Sequence, residues 1–160
     1  MSAKGSAAMQ AAQDRVLVIS RNFDAPRELV WKAWTDPAMR VQWLGPQGFA
    51  GKVLLMDLKP GGSYRFHMRG SDGVDHWVNG VFREVVDFER LVATYVWTDA
   101  DGTPTRPETL LTVTFEATGS KTRLTLRQEV FESATACEAH RGGWTSSLVR
   151  LEEYLNSIAK

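Results

Sequence analysis

The hydrophobic pattern begins at residue 16. Positions 16–23 are β-branched and then alternate, the period of a half-buried strand. Asp24 suits a helix N-cap and Pro26 the first helical position, and Leu29, Val30, Ala33 and Trp34 recur at helical spacing. Thr35-Asp36-Pro37 breaks this helix and opens a second short one carrying Met39, Trp43 and Leu44, which Gly45-Pro46 ends. Six further strands are predicted at 51–58, 62–70, 74–86, 91–98, 108–118 and 121–131. Their dividers include Lys59-Pro60-Gly61-Gly62, Asp72-Gly73 and Gly119-Ser120, and connections this short imply an antiparallel meander.

The last segment changes period. Cys137, His140, Trp144, Leu148, Leu151, Leu155 and Ile158 recur every three or four residues, forming one apolar stripe on a long helix. Ser133 or Thr135 caps it, and Glu138 lies where a capping box starting at Thr135 needs it. Gly142-Gly143 costs the helix about 1 kcal/mol per glycine against alanine and marks a bend or a close approach to the sheet. Such a helix must lie on the apolar face of the sheet. The fold class is therefore α+β: about seven antiparallel strands, two short helices after the first, and a long C-terminal helix.

Turn chemistry sets two registers. With Asp72-Gly73 as a two-residue turn, Met68 faces Trp77. One face then holds Tyr64, Phe66, Met68, Trp77, Asn79 and Val81; the other holds Arg65, His67, Arg69 and His76. With Gly119-Ser120 as a turn, Phe115 faces Leu124, Val113 faces Leu126 and Leu111 faces Gln128. On strand 91–98 the larger apolar set, Leu91, Ala93, Tyr95 and Trp97, points inward. The inward face is thus aromatic with a few polar groups, Asn79, Tyr95 and Gln128. An unpaired buried amide costs on the order of 1–3 kcal/mol, so these groups either bond one another or face a cavity. An apolar wall with a few convergent polar groups is what a small-molecule pocket requires.

Composition narrows the partners. Nineteen basic residues balance nineteen acidic ones among 160, a formal net charge of zero. That argues against a nucleic-acid binder or a polybasic membrane anchor. The longest aliphatic run is four residues, 16–19, too short to span a bilayer. Residues 1–14 are small and polar, with no apolar core for a secretory signal, and are expected to be a disordered tail before a domain at 15–160. A single cysteine, Cys137, excludes an internal disulfide and points to the cytoplasm.

Candidate chemistry is sparse. His67 and His76 lie near each other on the outer face beside Asp75, but without a third ligand they make a poor metal site. His140 lies on the inner stripe one turn before Trp144, where it acts as a general acid or base or else satisfies a backbone carbonyl. Cys137, three residues earlier, has neither an oxyanion donor nor an orienting carboxylate in view. No catalytic triad order, phosphate loop or dinucleotide fingerprint occurs, so no metal and no cofactor are expected.

Several strings resemble one family. They run from Phe23-Asp24-Ala25-Pro26 through Trp31-Lys32-Ala33-Trp34-Thr35-Asp36-Pro37 to Trp43-Leu44-Gly45-Pro46. They continue with Lys59-Pro60-Gly61-Gly62-Ser63-Tyr64-Arg65-Phe66, Gly80-Val81-Phe82-Arg83-Glu84-Val85, Glu89-Arg90-Leu91-Val92 and His140-Arg141-Gly142-Gly143-Trp144. Over residues 16–157 the chain is similar to the START-like (SRPBCC) helix-grip superfamily. Within it, the chain resembles the bacterial single-domain relatives of the activator of heat-shock-protein-90 ATPase. These are motifs of turns, caps and core aromatics. The resemblance implies a curved sheet gripping the C-terminal helix, with a cavity that in this superfamily usually holds lipids, polyketides or other apolar ligands.

The leading expectation is a cytoplasmic binding protein for a small, largely apolar ligand, monomeric or homodimeric. Its expected contacts are Tyr64, Phe66, Met68, Trp77, Asn79, Tyr95, Trp97, Gln128, His140 and Trp144. The alternatives are a polyketide cyclase or dehydratase with His140 and Tyr95 as proton carriers, and a co-chaperone or other interaction protein. The eukaryotic co-chaperone carries a second, N-terminal domain without a counterpart here, which weighs against the last.

Overall fold

A strand followed by two helical turns and a meander folds into one antiparallel sheet crossed by one helix. The computed structural model describes residues 13–158. The strands are β1 (Leu17–Phe23), β2 (Ala50–Met56), β3 (Ser63–Arg69), β4 (Asp75–Val86), β5 (Arg90–Thr98), β6 (Thr109–Thr118) and β7 (Lys121–Glu129). Between β1 and β2 lie α1 (Arg27–Thr35), α2 (Pro37–Arg40) and a single 3-10 turn, Val41–Trp43. The long helix is α3 (Ala134–Ile158). The curved sheet runs in the order β1-β7-β6-β5-β4-β3-β2, so the helical segment carries the chain from one sheet edge to the other. This is the expected α+β helix-grip fold. The expected N-terminal tail lies, for residues 1–12, outside the described residues.

Local signals decide the helix ends. Pro26 itself takes the N-cap of α1 in extended conformation, with no side-chain cap, so Asp24 does not cap this helix as expected. Asp36 caps α2, its carboxylate accepting from the Ala38 N–H at 3.0 Å. Ser133 caps α3, accepting from the Ala136 N–H at 3.1 Å. On α3 the stripe buries Cys137, Trp144, Leu148, Leu151 and Leu155, while Ile158 is exposed.

The β6–β7 register is the expected one, with Phe115 opposite Leu124, Val113 opposite Leu126 and Leu111 opposite Gln128. The β3–β4 register is not. Met68 lies opposite His76, and His67 lies opposite Trp77. The turn is longer than two residues, because the Asp72 carboxylate accepts from the Val74 N–H and the strands first pair at Arg69 and Asp75. Arg69 grips Asp75 there with two bonds, at 2.7 and 3.1 Å. This shifts every β4 side chain to the opposite face. Val78 and Phe82 are buried inside, and His76 and Gly80 share that face. Trp77 and Asn79 point outward, Trp77 against His67 and Asn79 accepting from Arg65 at 3.1 Å. His67 and His76 therefore occupy opposite faces.

Two packing details follow from this register. Tyr64 lies across Gly80 and donates to the Thr94 carbonyl at 2.5 Å; a Cβ at Gly80 would collide with both the Tyr64 ring and that carbonyl. The 44–49 loop is tied to α3 by Arg150, whose Nη1 donates to the carbonyls of Leu44, Gly45, Pro46 and Phe49 at 2.8–3.2 Å. The Gln47 N–H adds a bond to Ser146 Oγ at 2.8 Å.

The two glycine sites should respond in opposite senses. Gly142 faces open space, so Gly142→Ala should stabilise by about 0.5–1 kcal/mol, whereas Gly80→Ala should cost about 1–3 kcal/mol; urea unfolding of both checks this. Arg150→Ala should cost about 2 kcal/mol and raise amide exchange throughout 44–49, read by hydrogen-exchange mass spectrometry.

Candidate functional site

Below Trp144, α3 packs against β1, α1 and the 3-10 turn and buries Leu148, Leu151 and Leu155. Above it, apart from His140, the helix offers only small residues to the cavity: Ala136, Ala139 and Gly143. These cannot fill the space beneath the curved strands, and a cavity of about 440 Å³ remains. Phe66 and Met68 of β3, His76 of β4, and Tyr95 and Trp97 of β5 form its floor. Gly45, Pro46 and Phe49 form one rim, and Arg106 reaches the other from the β5–β6 connection. Arg106 pairs there with Glu132 at 3.0 Å, both half-exposed. A smaller annex of about 40 Å³ lies among Trp34, Arg40, Tyr64, Phe66, Tyr95 and Trp144.

Among the expected contacts, Phe66, Met68, Tyr95, Trp97, His140 and Trp144 lie on the cavity wall, and Tyr64 on the annex. Trp77 and Asn79 do not, for the register reason given above. Gln128 is inside but sits behind the wall, fully buried. Its Oε1 accepts from Trp144 Nε1 at 2.8 Å and its Nε2 donates to Thr109 Oγ1 at 2.8 Å, which in turn donates to the Tyr95 carbonyl at 3.1 Å. The amide is satisfied at both ends and serves to hold Trp144 over the strands.

His140 is held in one tautomer. Trp97 Nε1 donates to His140 Nε2 at 2.8 Å, so the proton sits on Nδ1, which donates to the Ala136 carbonyl at 2.7 Å. Both nitrogens are engaged only in the neutral ring, and burial holds its pKa below the ordinary 6.5. Phe131 packs on its other side, 4.6 Å between ring centres. Cys137 is fully buried, and burial raises its thiol pKa, which disfavours a reactive thiolate. Among the described residues no group of three or more His, Cys, Asp or Glu side chains is placed to hold a metal ion.

Two of the wall residues that sequence reasoning missed bear on the chemistry, His76 and Arg40. His76 depended on the register of its hairpin. Arg40, the last residue of α2, is only 5% exposed and lines both cavity and annex. Its guanidinium carbon stands 4.1 Å from the Trp43 ring centre, 5.1 Å from Phe66 and 5.2 Å from Trp34. Burial brings its pKa down to about 10, so it stays charged at neutral pH. Burial also raises the Tyr64 and Tyr95 hydroxyl pKa values, and both remain protonated.

Comparison with known proteins agrees with this architecture. Residues 24–156 match the family described as Activator of Hsp90 ATPase homolog 1-like protein. A crystal structure of a Chromobacterium violaceum protein is 30% identical, covering 87% of this chain and 95% of that one, with a TM-score of 0.78. The AHSA1 protein from Silicibacter pomeroyi is 26% identical over 88% of this chain and 97% of its own, also with a TM-score of 0.78. A solution structure from Arthrobacter aurescens shares the fold at 24% identity, covering 93% of this chain and 90% of that one, with a TM-score of 0.83. No curated protein matches. Among the described residues no helix is long and apolar enough to cross a membrane. With its family match spanning nearly the whole sheet and the gripped helix, the chain belongs to the Activator of Hsp90 ATPase homolog 1-like family, within the START-like (SRPBCC) superfamily.

Proposed function

We propose that the protein binds a small, largely apolar molecule in the cavity between the sheet and α3. One observation carries this reading. Apart from His140 and Trp144, the helix face over the cavity carries only Ala136, Ala139, Gly143 and Ser147, while the floor is built of Met68 and rings. Interiors normally pack to crystal-like density, so such a hollow loses dispersion contacts that a guest restores. Its volume falls within the range of small-molecule sites. The cyclase alternative requires a proton carrier, and His140 commits both nitrogens to Trp97 and Ala136. We place the protein in the cytoplasm, where its one buried thiol would stay reduced.

Trp97 and Trp144 line the cavity and report occupancy. Titration with 2-naphthol and with decan-1-ol should change tryptophan emission saturably at one-to-one stoichiometry. Gly143→Leu projects a side chain into the cavity and should weaken both by at least about tenfold, or about 1.4 kcal/mol. Absence of any saturable signal with either probe rejects the reading.

The neutral tautomer of His140 gives a pH signature. Its folded pKa lies below its unfolded one, so the unfolded chain binds this proton more readily. The stability it contributes is complete above the unfolded value and is lost as pH falls through the folded one. The thermal midpoint should therefore fall more steeply between about pH 7.5 and about pH 5 in the wild type than in His140→Gln. Equal slopes would mean that the ring titrates freely.

A further inference from the structure

Arg40 is a charged side chain placed where charges are rarely left alone. Rings cover it on three sides, those of Trp34, Trp43 and Phe66. Its Nη1 is buried and has no hydrogen-bond partner among the described residues. The titratable groups that bear on it are the Tyr95 and Tyr64 hydroxyls, both neutral when protonated, and Arg150, with no carboxylate among them. Cation–π contact compensates part of the lost hydration, but it leaves the N–H donors of the fork unused. A second buried donor, Trp34 Nε1, also lacks a partner, and Trp34 lines the same annex as Arg40.

A fold that buries two unanswered donors at the inner end of an apolar cavity leaves them for an acceptor that arrives with the guest. We propose that the ligand is an amphipathic monocarboxylic acid, its carboxylate held by Arg40 beside Trp34 and its apolar body lying against Phe66, Met68, Trp97 and Trp144. This rests on the reading of the cavity as a ligand site and names the chemistry of its guest. The guanidinium fork matches a carboxylate in two parallel bonds. A single positive charge at the inner end suits a monoanion. The other arginine on the wall, Arg106, stands at the rim and is already paired with Glu132. Tyr95, kept protonated, shares the wall with Arg40 and faces the same space.

The test compares acids with their uncharged counterparts. Decanoate is titrated against decanamide, and 2-naphthoate against 2-naphthamide, by tryptophan fluorescence and thermal shift on the full chain at pH 7.5. Decyl phosphate and decyl sulfate are run alongside. Each carboxylate should bind about 10- to 100-fold tighter than its amide and tighter than the phosphate or sulfate. In Arg40→Met that advantage should vanish, the acid then binding no tighter than the amide. Removing an unpaired buried charge should also leave ligand-free Arg40→Met at least as thermostable as the wild type. Amides that bind as well as acids overturn the carboxylate assignment while leaving the cavity reading intact. Tighter binding of the phosphate overturns it in favour of another anion. If no acid or amide binds, both fall. The wild-type comparison stands even if the variant does not fold.

Discussion

One buried amide fixes how far the helix stands from the sheet. Gln128 on β7 accepts from the Trp144 indole and donates to Thr109, which reaches the Tyr95 carbonyl on β5. A buried network of this kind is favourable only when every member is satisfied, and this one joins three strands and the helix at a single depth. On one side of it the leucines of α3 close onto the strands. On the other, apart from His140, the helix carries alanine and glycine, and the strands curve away. The cavity is the geometric consequence of a spacer set at Trp144 and a helix face too small to reach past it.

Much of the fold could be read from the sequence because its signals were local and mutually consistent. Alternation marked the strands, three-and-four spacing marked α3, and the tight Gly119-Ser120 turn set the β6–β7 register. The β3–β4 hairpin was different. Either Trp77 or Val78 would satisfy an apolar interior, so hydrophobic pattern could not choose between them. The choice was made by the Asp72 side chain folding back on its own turn and by the Arg69–Asp75 pair across the first rung. Both are polar contacts, one within the turn and one across the strands, which a search for buried residues passes over.

The site was legible where rings on strands defined it and hidden where polar groups did. Gln128 was correctly placed inside, yet its partners lay 16 and 19 residues away on other elements, and the sequence does not show that they meet. Arg40 ends a four-residue helix, too short for a period to assign a face, and arginine is ordinarily placed outside. Its only trace was Trp43 three residues on, one turn of helix away.

The two rims of the cavity are held with unequal strength. On one, a single Arg150 nitrogen faces four carbonyls of the 44–49 loop, so that loop moves with the helix or not at all. On the other, an exposed Arg106–Glu132 contact is worth no more than about 1 kcal/mol. A guest of the proposed site would therefore meet less resistance past Arg106 than past the 44–49 loop. For such a guest the stitched side would be the fixed jamb and the arginine side the door.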